Sequence, residues 1–411
     1  MAEAPFLPPP FLAPPFLAYG RQVIEADDLA AVAEALQADH LTTGPRVAEF
    51  EAAFAVRVGA RHAIACSNGT AALHLCMMAL GVGPGDVVIA PSITFTATAN
   101  AARHQGAEVV FADVDPDTGL MTADTLGEAV ERAGDRAVKA VLPVHLSGHA
   151  ADLPALKRIA EARGARLVED AAHAVGTTVT FDNTPERVGD CRHSALTCFS
   201  FHPVKTLTTG EGGMVTTNDP DLALKLARLR SHGIVREPAD FTDSEIGFDG
   251  EAPNPWAYEQ QALGYNYRLP DLLCALGLSQ LAKLDRFIER RRTLSERYRQ
   301  LLPSLAPRVR AVEPPRASQS AQHLFVALID FELAGQTRRQ VMDALRQRGI
   351  GTQVHYIPVH RQPYYRQRYG ALHLPGAEAY YARCLSLPLH AGMELADVDR
   401  VVEALRGVLG L

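Results

Sequence analysis

The sequence predicts an α/β protein with a mostly parallel central sheet and a smaller C-terminal α+β unit. Its 411 residues, 47% of them hydrophobic, can bury a large core. From about residue 62 to 217, short apolar runs alternate with helical periodicity, which is typical of a sheet covered on both faces by crossover helices. Beyond about residue 302 the pattern becomes a mixture of strands and helices. We therefore expect a domain boundary near residue 265.

The chain divides into three predicted segments. Residues 1–18 form a proline-rich flexible arm, residues 19–265 a large α/β domain, and residues 266–411 a small α+β domain. The arm repeats the tripeptide Pro-Phe-Leu, a composition that favours an extended, polyproline-like chain. Its Phe-Leu pairs could instead dock on a neighbouring surface.

Two helices precede the first predicted strand, and Asp27 and Asp28 cap the first of them. The apolar face of the first helix consists of Leu29, Val32 and Leu36, and that of the second of Val47, Phe50 and Phe54. The strands are predicted at residues 63–65, 87–89, 109–111, 140–142, 167–169, 196–199 and 214–216. The clearest crossover helix spans residues 152–163, with Asp152 as its cap.

The C-terminal part begins with a long helical stretch. The predicted elements are a helical stretch at 270–302, a strand at 323–329, a helix at 338–348, a strand at 353–357 and a final helix at 397–408.

Composition excludes several classes of function. The formal charge of −7 and the acidic residues within the basic run 285–292 argue for a solvated helix face rather than a nucleic-acid surface. No apolar run reaches the length of a membrane span, and the first residues do not resemble a secretory signal. The six cysteines are far apart, with no Cys-x-x-Cys pair. Reduced thiols and a cytoplasmic location are therefore expected.

Lys205 and Asp170 suggest the chemistry. A lysine that forms an imine needs a neutral amine and an aldehyde cofactor, and a carboxylate must keep the cofactor's pyridine nitrogen protonated. Pyridoxal 5′-phosphate is such a cofactor. Each residue alone also has an ordinary explanation, because most lysines are surface charges and an Asp at a strand end is often a helix cap.

A third motif supports this interpretation. Residues 66–73 follow an apolar run and open a helical pattern with small residues. Free backbone N–H groups at a helix start favour an anion, so this segment is a natural phosphate cup. Taken alone, it could equally be an ordinary N-cap. All three motifs follow strand-like runs, which places them at one crevice at the carboxyl ends of the strands.

Two pairs of histidines, in residues 145–149 and 355–360, could suggest metal ligands. Their spacing does not match a recognised zinc pattern, and Gly148 and Pro358 favour loops. We expect no metal site there, and assign these histidines to hydrogen bonding at the pocket rim.

The motifs together resemble the DegT/DnrJ/EryC1/StrS sugar aminotransferases, pyridoxal-phosphate enzymes of fold type I. The resemblance covers nearly everything from Tyr19 to the C-terminus. It rests on residues 67–70, 91–95, 169–173, 200–213, 230–233 and 264–269.

The resemblance implies roles for individual residues around the cofactor. Lys205 would form the imine and move the proton, and Asp170 would pair with the ring nitrogen. Phe95 would stack on one ring face, Ala172 would pack on the other, and His173 would lie near the ring hydroxyl. The phosphate would be bound by Asn68, Gly69, Thr70 and Ser200, together with Asn266 of the partner subunit in a homodimer. Phe95 could instead be a plain core aromatic.

Within the family, the sequence is most similar to the branch that makes pseudaminic acid precursors, the UDP-4-amino-4,6-dideoxy-N-acetyl-β-L-altrosamine transaminases. The likeness rests on residues 200–213, 275–281, 353–359 and 386–391. It implies that the nucleotide-sugar contacts Tyr19, Asp39, His40, Leu41, Thr42, Gln353, Val354, His355 and Tyr356. Arg268 is the candidate for the carboxylate of the amino donor.

We therefore predict transamination of a 4-keto-6-deoxy nucleotide-sugar, UDP-linked and 2-acetamido substituted, with L-glutamate as donor. Rival hypotheses are a transaminase for GDP-4-keto-6-deoxymannose or a 3-keto sugar, and a non-catalytic regulator of the same fold. A sugar dehydratase of the family is disfavoured, because that branch replaces the lysine by histidine and this chain has Lys205.

Overall fold

The computed structural model describes residues 16–315 and 317–411. Its helices are α1 (Ala26–Gln37), α2 (Pro45–Val58), α3 (Gly69–Ala79), α4 (Thr96–His104), α5 (Ala123–Ala133), α6 (Leu153–Ala162), α7 (Pro220–Leu229), α8 (Ser244–Gly247), α9 (Asp271–Ala282), α10 (Leu284–Leu301), α11 (Arg338–Gln347), α12 (Pro363–Tyr369), α13 (Pro375–Arg383) and α14 (Leu395–Val408). Short 3-10 turns occur at Leu146–Gly148, Pro238–Asp240, Leu302–Leu305 and Val359–Arg361.

The strands are β1 (His62–Cys66), β2 (Val87–Pro91), β3 (Glu108–Ala112), β4 (Val138–Val141), β5 (Arg166–Asp170), β6 (Thr178–Phe181), β7 (Thr184–Arg187), β8 (Leu196–Ser200), β9 (Gly213–Thr217), β10 (Ile234–Val235), β11 (Phe248–Asp249), β12 (Ala252–Pro253), β13 (Glu259–Gln260), β14 (Val309–Ala311), β15 (Ser318–Gln319), β16 (Phe325–Ile329) and β17 (Cys384–Leu387).

Seven strands form the central sheet, in the order β1-β9-β8-β5-β4-β2-β3. The strands from β8 to β3 pair in parallel, and β9 runs antiparallel to both of its neighbours. All seven strands predicted from apolar runs are members of this sheet. The prediction of an α/β fold with a mostly parallel sheet is confirmed.

The sheet is buried on both faces, as its continuous apolar runs require. In β2, Val88 and Ala90 contact the core that contains α3 and α4, whereas Val87 and Ile89 contact the core that contains α5 and α6. This alternation follows from the two-residue period of a strand. The parallel strands consequently direct their carboxyl ends to one edge, where the site lies.

The C-terminal part has its own sheet and core. Strands β14, β16 and β17 pair antiparallel in that order. Side chains of α10, α11 and α14 pack with them into one apolar cluster. A further three-stranded sheet joins β15 to the hairpin β6–β7. The domain boundary near residue 265 stays a prediction.

The helical stretch predicted at 270–302 is confirmed, and it consists of two helices, α9 and α10, which meet at Lys283. The strand predicted at 353–357 was wrong. Residues 353–357 form no strand, and a single bridge joins Gln353 to Ser386. The side chains of Val354, Tyr356 and Ile357 favour a strand locally, but the segment pairs with a strand only at Gln353.

Much of the apolar face predicted for α1 is exposed. Leu29 is 65% exposed and Leu36 is 57% exposed. The helix packs instead through its buried Asp28, which accepts hydrogen bonds from Gln280 and forms an ion pair with Lys283. Periodicity locates an apolar face but does not say which neighbour covers it.

The basic run in α10 is only partly a solvated face. Arg291 is buried, and its Nη1 donates to the carbonyl groups of His323 and Leu389. Burial lowers the pKa of Arg291 to about 10. Of its neighbours, Arg286 is exposed and Arg292 is half-buried, as expected for a solvated helix face.

The predicted arm lies mostly outside the described residues, which begin at Phe16. Leu17 is buried and pairs with the C-terminal part, because its N–H donates to Gly349 and its carbonyl accepts from Gly351. Among the described residues, no helix combines the length and apolar character needed to cross a membrane.

Candidate active site at the carboxyl ends of the sheet strands

The site is assembled where three strands of the central sheet end. Strand β5 ends at Asp170, β8 ends at Ser200, and β1 ends just before the turn into α3. The loop after Ser200 carries Lys205, whose backbone N–H donates to the carbonyl of His202 in a turn. The topology therefore brings the three motifs of the sequence together.

Lys205 is half-buried, and the pKa of its amine is unusually low. Burial lowers the pKa of Lys205 to about 8, although the nearby charge of Asp170 acts in the opposite direction. The effect of the Asp170 charge on Lys205 indicates that the two groups lie near each other. A pKa near 8 leaves a useful fraction of neutral amine near neutral pH, as imine chemistry requires.

The carboxylate of Asp170 is buried and held from two sides. Its Oδ2 accepts a hydrogen bond from Thr98 Oγ1 at 2.7 Å, and its Oδ1 accepts from the Ala172 N–H at 3.2 Å. Thr98 Oγ1 in turn lies 2.7 Å from Thr94 Oγ1. Sequence reasoning missed both threonines. Their i, i+4 spacing at the start of a helix was the available signal.

The start of α3 forms the predicted cup. Asn68 caps the helix, because its side-chain oxygen accepts from the Ala71 N–H at 2.8 Å. Among the described residues, the N–H groups of Gly69 and Thr70 have no acceptor. They are thus free to bind an anion at the positive end of the helix dipole. The Asn68 side chain is already used as a cap, so its role toward a phosphate stays a prediction.

The cup is closely packed against the sheet. A Cβ atom on Gly69 would lie 2.8 Å from Ser200 Cβ. A Cβ atom on Gly213 would lie 2.5 Å from the Asn68 carbonyl oxygen. Only glycine fits at both positions, which lets the backbone of the cup approach Ser200 and β9.

The Phe95 ring lies open to the site. Its side chain is 58% exposed, and its centroid is 6.1 Å from that of Tyr356. The alternative that Phe95 is a plain core aromatic is excluded by this exposure. Ala172 is half-buried beside Asp170 and presents only a methyl group. Both residues can therefore offer apolar surface to a planar ring.

His173 is buried and lies close to several other aromatic rings. Its Nδ1 accepts from the Ser147 N–H at 3.3 Å, and its Nε2 lies 3.1 Å from Tyr356 Oη. The His323 ring is 4.3 Å away from the His173 ring. Burial and, to a lesser extent, the nearby charge of Lys205 lower the pKa of His173 well below its usual value. The same causes lower the pKa of His355 to about 3.

Part of the predicted sugar site lies in contact with this cluster. The Tyr19 ring is 5.5 Å from the ring of His355, which is followed by Tyr356. A Cβ atom on Gly20 would contact Val204, next to Lys205. Tyr19, His355 and Tyr356 therefore border the same crevice as Lys205.

The other predicted sugar residues, most of them exposed, are not brought against Lys205 by any contact among the described residues. The turn formed by Asp39, His40, Leu41 and Thr42 is exposed and docks on the start of α9, where Asp271 accepts from the Gly44 N–H. Gln353 is exposed, and Val354 is half-buried against the central core. Their contact with the sugar stays a prediction.

Asn266 and Arg268 lie on a segment that borders the cup. The carbonyl of Tyr267, between them, accepts from the Ser67 N–H at 2.8 Å. Asn266 is exposed, and Arg268 Nη1 donates to Ser231 Oγ at 3.1 Å. The segment 266–268 is thus close enough to the cup to take part in binding.

These groups fit pyridoxal phosphate. They comprise a lysine with a lowered pKa, a carboxylate for the ring nitrogen, apolar surfaces for the ring faces, and a glycine-lined helix start for the phosphate. Within residues 16–315 and 317–411, no cluster of three His, Cys, Asp or Glu residues is placed to hold a metal ion.

Known proteins support the same assignment. Helicobacter pylori PseC, an aminotransferase involved in the biosynthesis of pseudoaminic acid, is 27% identical, covers 96% of this chain and 99% of its own, and superposes with a TM-score of 0.85. DesI, solved in the presence of its TDP-sugar product, is 33% identical over 96% of this chain and 93% of its own, with a TM-score of 0.80. Streptococcus pneumoniae Spr1654, solved in its PLP form, is 25% identical over 96% of this chain and 99% of its own, with a TM-score of 0.83.

The sequence model of the DegT/DnrJ/EryC1/StrS aminotransferase family matches residues 22–406, nearly the whole chain. The chain therefore belongs to the DegT/DnrJ/EryC1/StrS aminotransferase family, and its cofactor is pyridoxal 5′-phosphate, as its residues predicted.

Proposed function

We propose that this enzyme transfers the amino group of L-glutamate to a 4-keto-6-deoxy nucleotide-sugar that is UDP-linked and carries a 2-acetamido group. The observation that carries the proposal is the pair Lys205 and Asp170, an amine of lowered pKa and a fixed carboxylate in one crevice. The product would be a 4-amino sugar for a surface polysaccharide or a flagellin glycan.

When bound, pyridoxal phosphate supplies an aldehyde that carries the amino group and a pyridinium ring that takes up negative charge. The neutral form of Lys205 Nζ, which burial favours, would take a proton from the donor's α-carbon and pass it to the cofactor's aldehyde carbon. In the second half-reaction it would move a proton from that carbon to the keto carbon of the sugar. Asp170 would keep the ring nitrogen protonated. The Gly69 and Thr70 N–H groups would hold the phosphate, and Phe95 would offer apolar surface to the ring.

The choice of sugar rests on similarity and on the site's rim. PseC, with its role in pseudoaminic acid biosynthesis, aligns over almost the full length of both chains. Tyr19, His355 and Tyr356 offer aromatic surface and hydrogen-bonding groups beside Lys205, as a sugar ring with polar substituents requires.

A second candidate function is transamination of a different nucleotide keto-sugar, such as GDP-4-keto-6-deoxymannose or a 3-keto sugar. It is favoured by the 33% identity to DesI, a protein solved with a TDP-sugar product. The two candidates share all the chemistry at Lys205 and differ only in what the rim recognises.

A panel of substrates separates these candidates. Purified protein is given glutamate and one of several UDP-, TDP- and GDP-linked keto-sugars, and release of 2-oxoglutarate is measured. The proposal expects the highest kcat/KM with the UDP-linked 2-acetamido-4-keto-6-deoxy sugar. A higher kcat/KM with a GDP- or TDP-linked keto-sugar would contradict the proposed substrate and favour the second candidate.

A non-catalytic regulator of the same fold is tested by colour and turnover together. The wild-type protein should turn yellow with pyridoxal phosphate and release 2-oxoglutarate with at least one keto-sugar. A protein that stays colourless, or that binds the cofactor without turning over any sugar in the panel, would favour the regulator.

The proposal includes a homodimer in which Asn266 reaches the partner's phosphate. The proposal rests on the family resemblance and on the exposure of the Asn266 side chain, which leaves it accessible to a second subunit. Two inactive variants, Lys205→Ala and Asn266→Ala, test this. The two variants are unfolded, mixed and refolded together. If the sites are shared, this restores activity, because each mixed dimer contains one intact site. No recovery in refolded mixtures that contain mixed dimers would contradict shared sites.

We also propose that residues 19–265 act as the cofactor-binding domain, residues 266–411 as the smaller domain, and that the enzyme is cytoplasmic. All the cysteines are free and buried, which suits a reducing compartment.

A further inference from the structure

The start of α4 places two buried threonines behind the Asp170 carboxylate. Thr94 and Thr98 are both almost completely buried, and their hydroxyl oxygens are 2.7 Å apart. Thr98 Oγ1 is also 2.7 Å from Asp170 Oδ2. The three side chains therefore form a continuous line of hydrogen bonds that ends on the carboxylate.

The direction of this line follows from the number of hydrogens. An ionised carboxylate only accepts hydrogen bonds, so the single hydroxyl hydrogen of Thr98 points to Asp170. Thr98 Oγ1 must then accept from Thr94, whose hydroxyl hydrogen points to it. Each bond in such a directed chain polarises the next, which strengthens the final bond to the charged oxygen.

Backbone hydrogen bonds fix the main chain of Asp170, but they do not set the orientation of its carboxylate. The Asp170 N–H donates to Pro143, and its carbonyl accepts from the His145 N–H. Among the described residues, only the Thr98 hydroxyl and the Ala172 N–H hold the two carboxylate oxygens. Each oxygen has a further lone pair, so a ring N–H can still be accepted.

We propose that Thr98, with Thr94 behind it, is the positioning residue that aims the Asp170 carboxylate at the cofactor's ring nitrogen. The inference rests on the proposed function, since it assigns the ring nitrogen to Asp170. Two residues at the start of helix α4 would then contribute to holding the cofactor's ring. Phe95 at its N-cap offers a face to the ring, and Thr98, whose N–H donates to the Phe95 carbonyl, holds the partner of the ring nitrogen.

The test uses cofactor binding, which does not depend on the identity of the sugar. Apo-protein is titrated with pyridoxal phosphate and with its 1-deaza analogue, in which carbon replaces the ring nitrogen. Thr98→Val keeps the shape of the side chain and removes the hydroxyl, and Thr98→Ser restores a hydroxyl. Thr216→Val is the matched control, because Thr216 is equally buried and donates to the Gly189 carbonyl.

We expect Thr98→Val to bind pyridoxal phosphate roughly tenfold more weakly, as the loss of a hydrogen bond to a charged group predicts. The same variant should bind the 1-deaza analogue as the wild type does, because that analogue has no ring N–H for Asp170. Thr98→Ser should recover most of the affinity for pyridoxal phosphate, and Thr216→Val should leave both affinities unchanged.

If Thr98→Val lost affinity equally for pyridoxal phosphate and for the 1-deaza analogue, Thr98 would serve packing alone and the inference would be overturned. Unchanged affinity for both would also overturn it. Should Thr98→Val fail to fold, Thr94→Val carries the same test, with a smaller loss confined to pyridoxal phosphate. A wild type that binds the cofactor but turns over no sugar would overturn the proposed function while leaving this comparison decisive.

Discussion

The Nδ1 atom of His173 accepts a hydrogen bond from the backbone N–H of Ser147 at 3.3 Å. Burial keeps this imidazole neutral by lowering its pKa, so its one ring proton must reside on Nε2. His173 Nε2 therefore donates to Tyr356 Oη, 3.1 Å away. The hydroxyl hydrogen of Tyr356 is consequently free to point into the crevice.

Removal of the Tyr356 hydroxyl should thus affect turnover more than cofactor binding. We expect Tyr356→Phe to lower kcat/KM about tenfold, the value of one lost hydrogen bond, with little change in affinity for pyridoxal phosphate. Steady-state kinetics and cofactor titration check this. Tyr369→Phe is the control, since Tyr369 donates to Glu108 at the start of β3, at the opposite edge of the sheet. A Tyr356→Phe enzyme with wild-type kcat/KM would contradict this assignment of the proton.

The lowered pKa of Lys205 gives a pH dependence of cofactor attachment. The neutral amine is the reactive form, so attachment should accelerate as the pH rises through about 8 rather than through the ordinary lysine value of 10.5. Stopped-flow absorbance of apo-protein mixed with pyridoxal phosphate measures this rate. A midpoint above pH 10 would contradict a buried amine.

The same shift sets the sign of a stability change. Between pH 8 and 10.5 the unfolded chain binds more protons at this lysine than the folded apo-protein does. The contribution of Lys205 to the stability of the apo-protein should therefore increase with pH across that window. Lys205→Met should remove this component.

Gly213 controls how closely the cup approaches the sheet. A Cβ atom there would lie 2.5 Å from the Asn68 carbonyl oxygen and 3.0 Å from the Gly69 nitrogen, both of them backbone atoms. We expect Gly213→Ala to displace the start of α3 and to weaken cofactor binding about tenfold or more. Gly127→Ala is the control, since a Cβ atom there meets nothing within 4 Å in helix α5, and it should stabilise the protein by about 0.5–1 kcal/mol. Unchanged cofactor affinity in Gly213→Ala would show that the cup can shift freely.

Arg291 joins α10 to two loops near the site. Its Nη1 donates to the carbonyl groups of His323 and Leu389, and it is buried. Arg291→Ala should lower the free energy of unfolding by about 3 kcal/mol, because two carbonyl groups lose a charged donor. Urea denaturation measures the loss. The control is Arg286→Ala on the same helix, whose exposed ion pair with Glu25 should contribute less than about 1 kcal/mol. Equal effects of the two substitutions would contradict the role of burial.

The sequence predicted the sheet well because its strands are buried on both faces and read as continuous apolar runs, as in residues 87–89. It also predicted the cluster of Lys205, Asp170 and the α3 start, because the carboxyl ends of parallel strands share an edge. It failed for residues 353–357, whose side chains favour a strand although the segment pairs only at Gln353.

Other features lay beyond sequence reasoning because they depend on contacts between distant segments. Arg291 resembled its exposed neighbours, and only the fold places it beneath two carbonyl groups 32 and 98 residues away. The Thr98 contact spans 72 residues. The exposed Leu29 and Leu36 of α1 show that a helix's apolar face can be found without knowing what covers it.

The most direct measurement is chemical mapping of the lysine that holds the cofactor. The yellow protein is reduced with borohydride, digested, and its peptides are analysed by mass spectrometry. The account predicts a phosphopyridoxyl group on Lys205 and none on Lys139, Lys157, Lys225 or Lys283, together with loss of colour and activity in Lys205→Ala. A label on another lysine, or a Lys205→Ala protein that stays yellow and active, would contradict it.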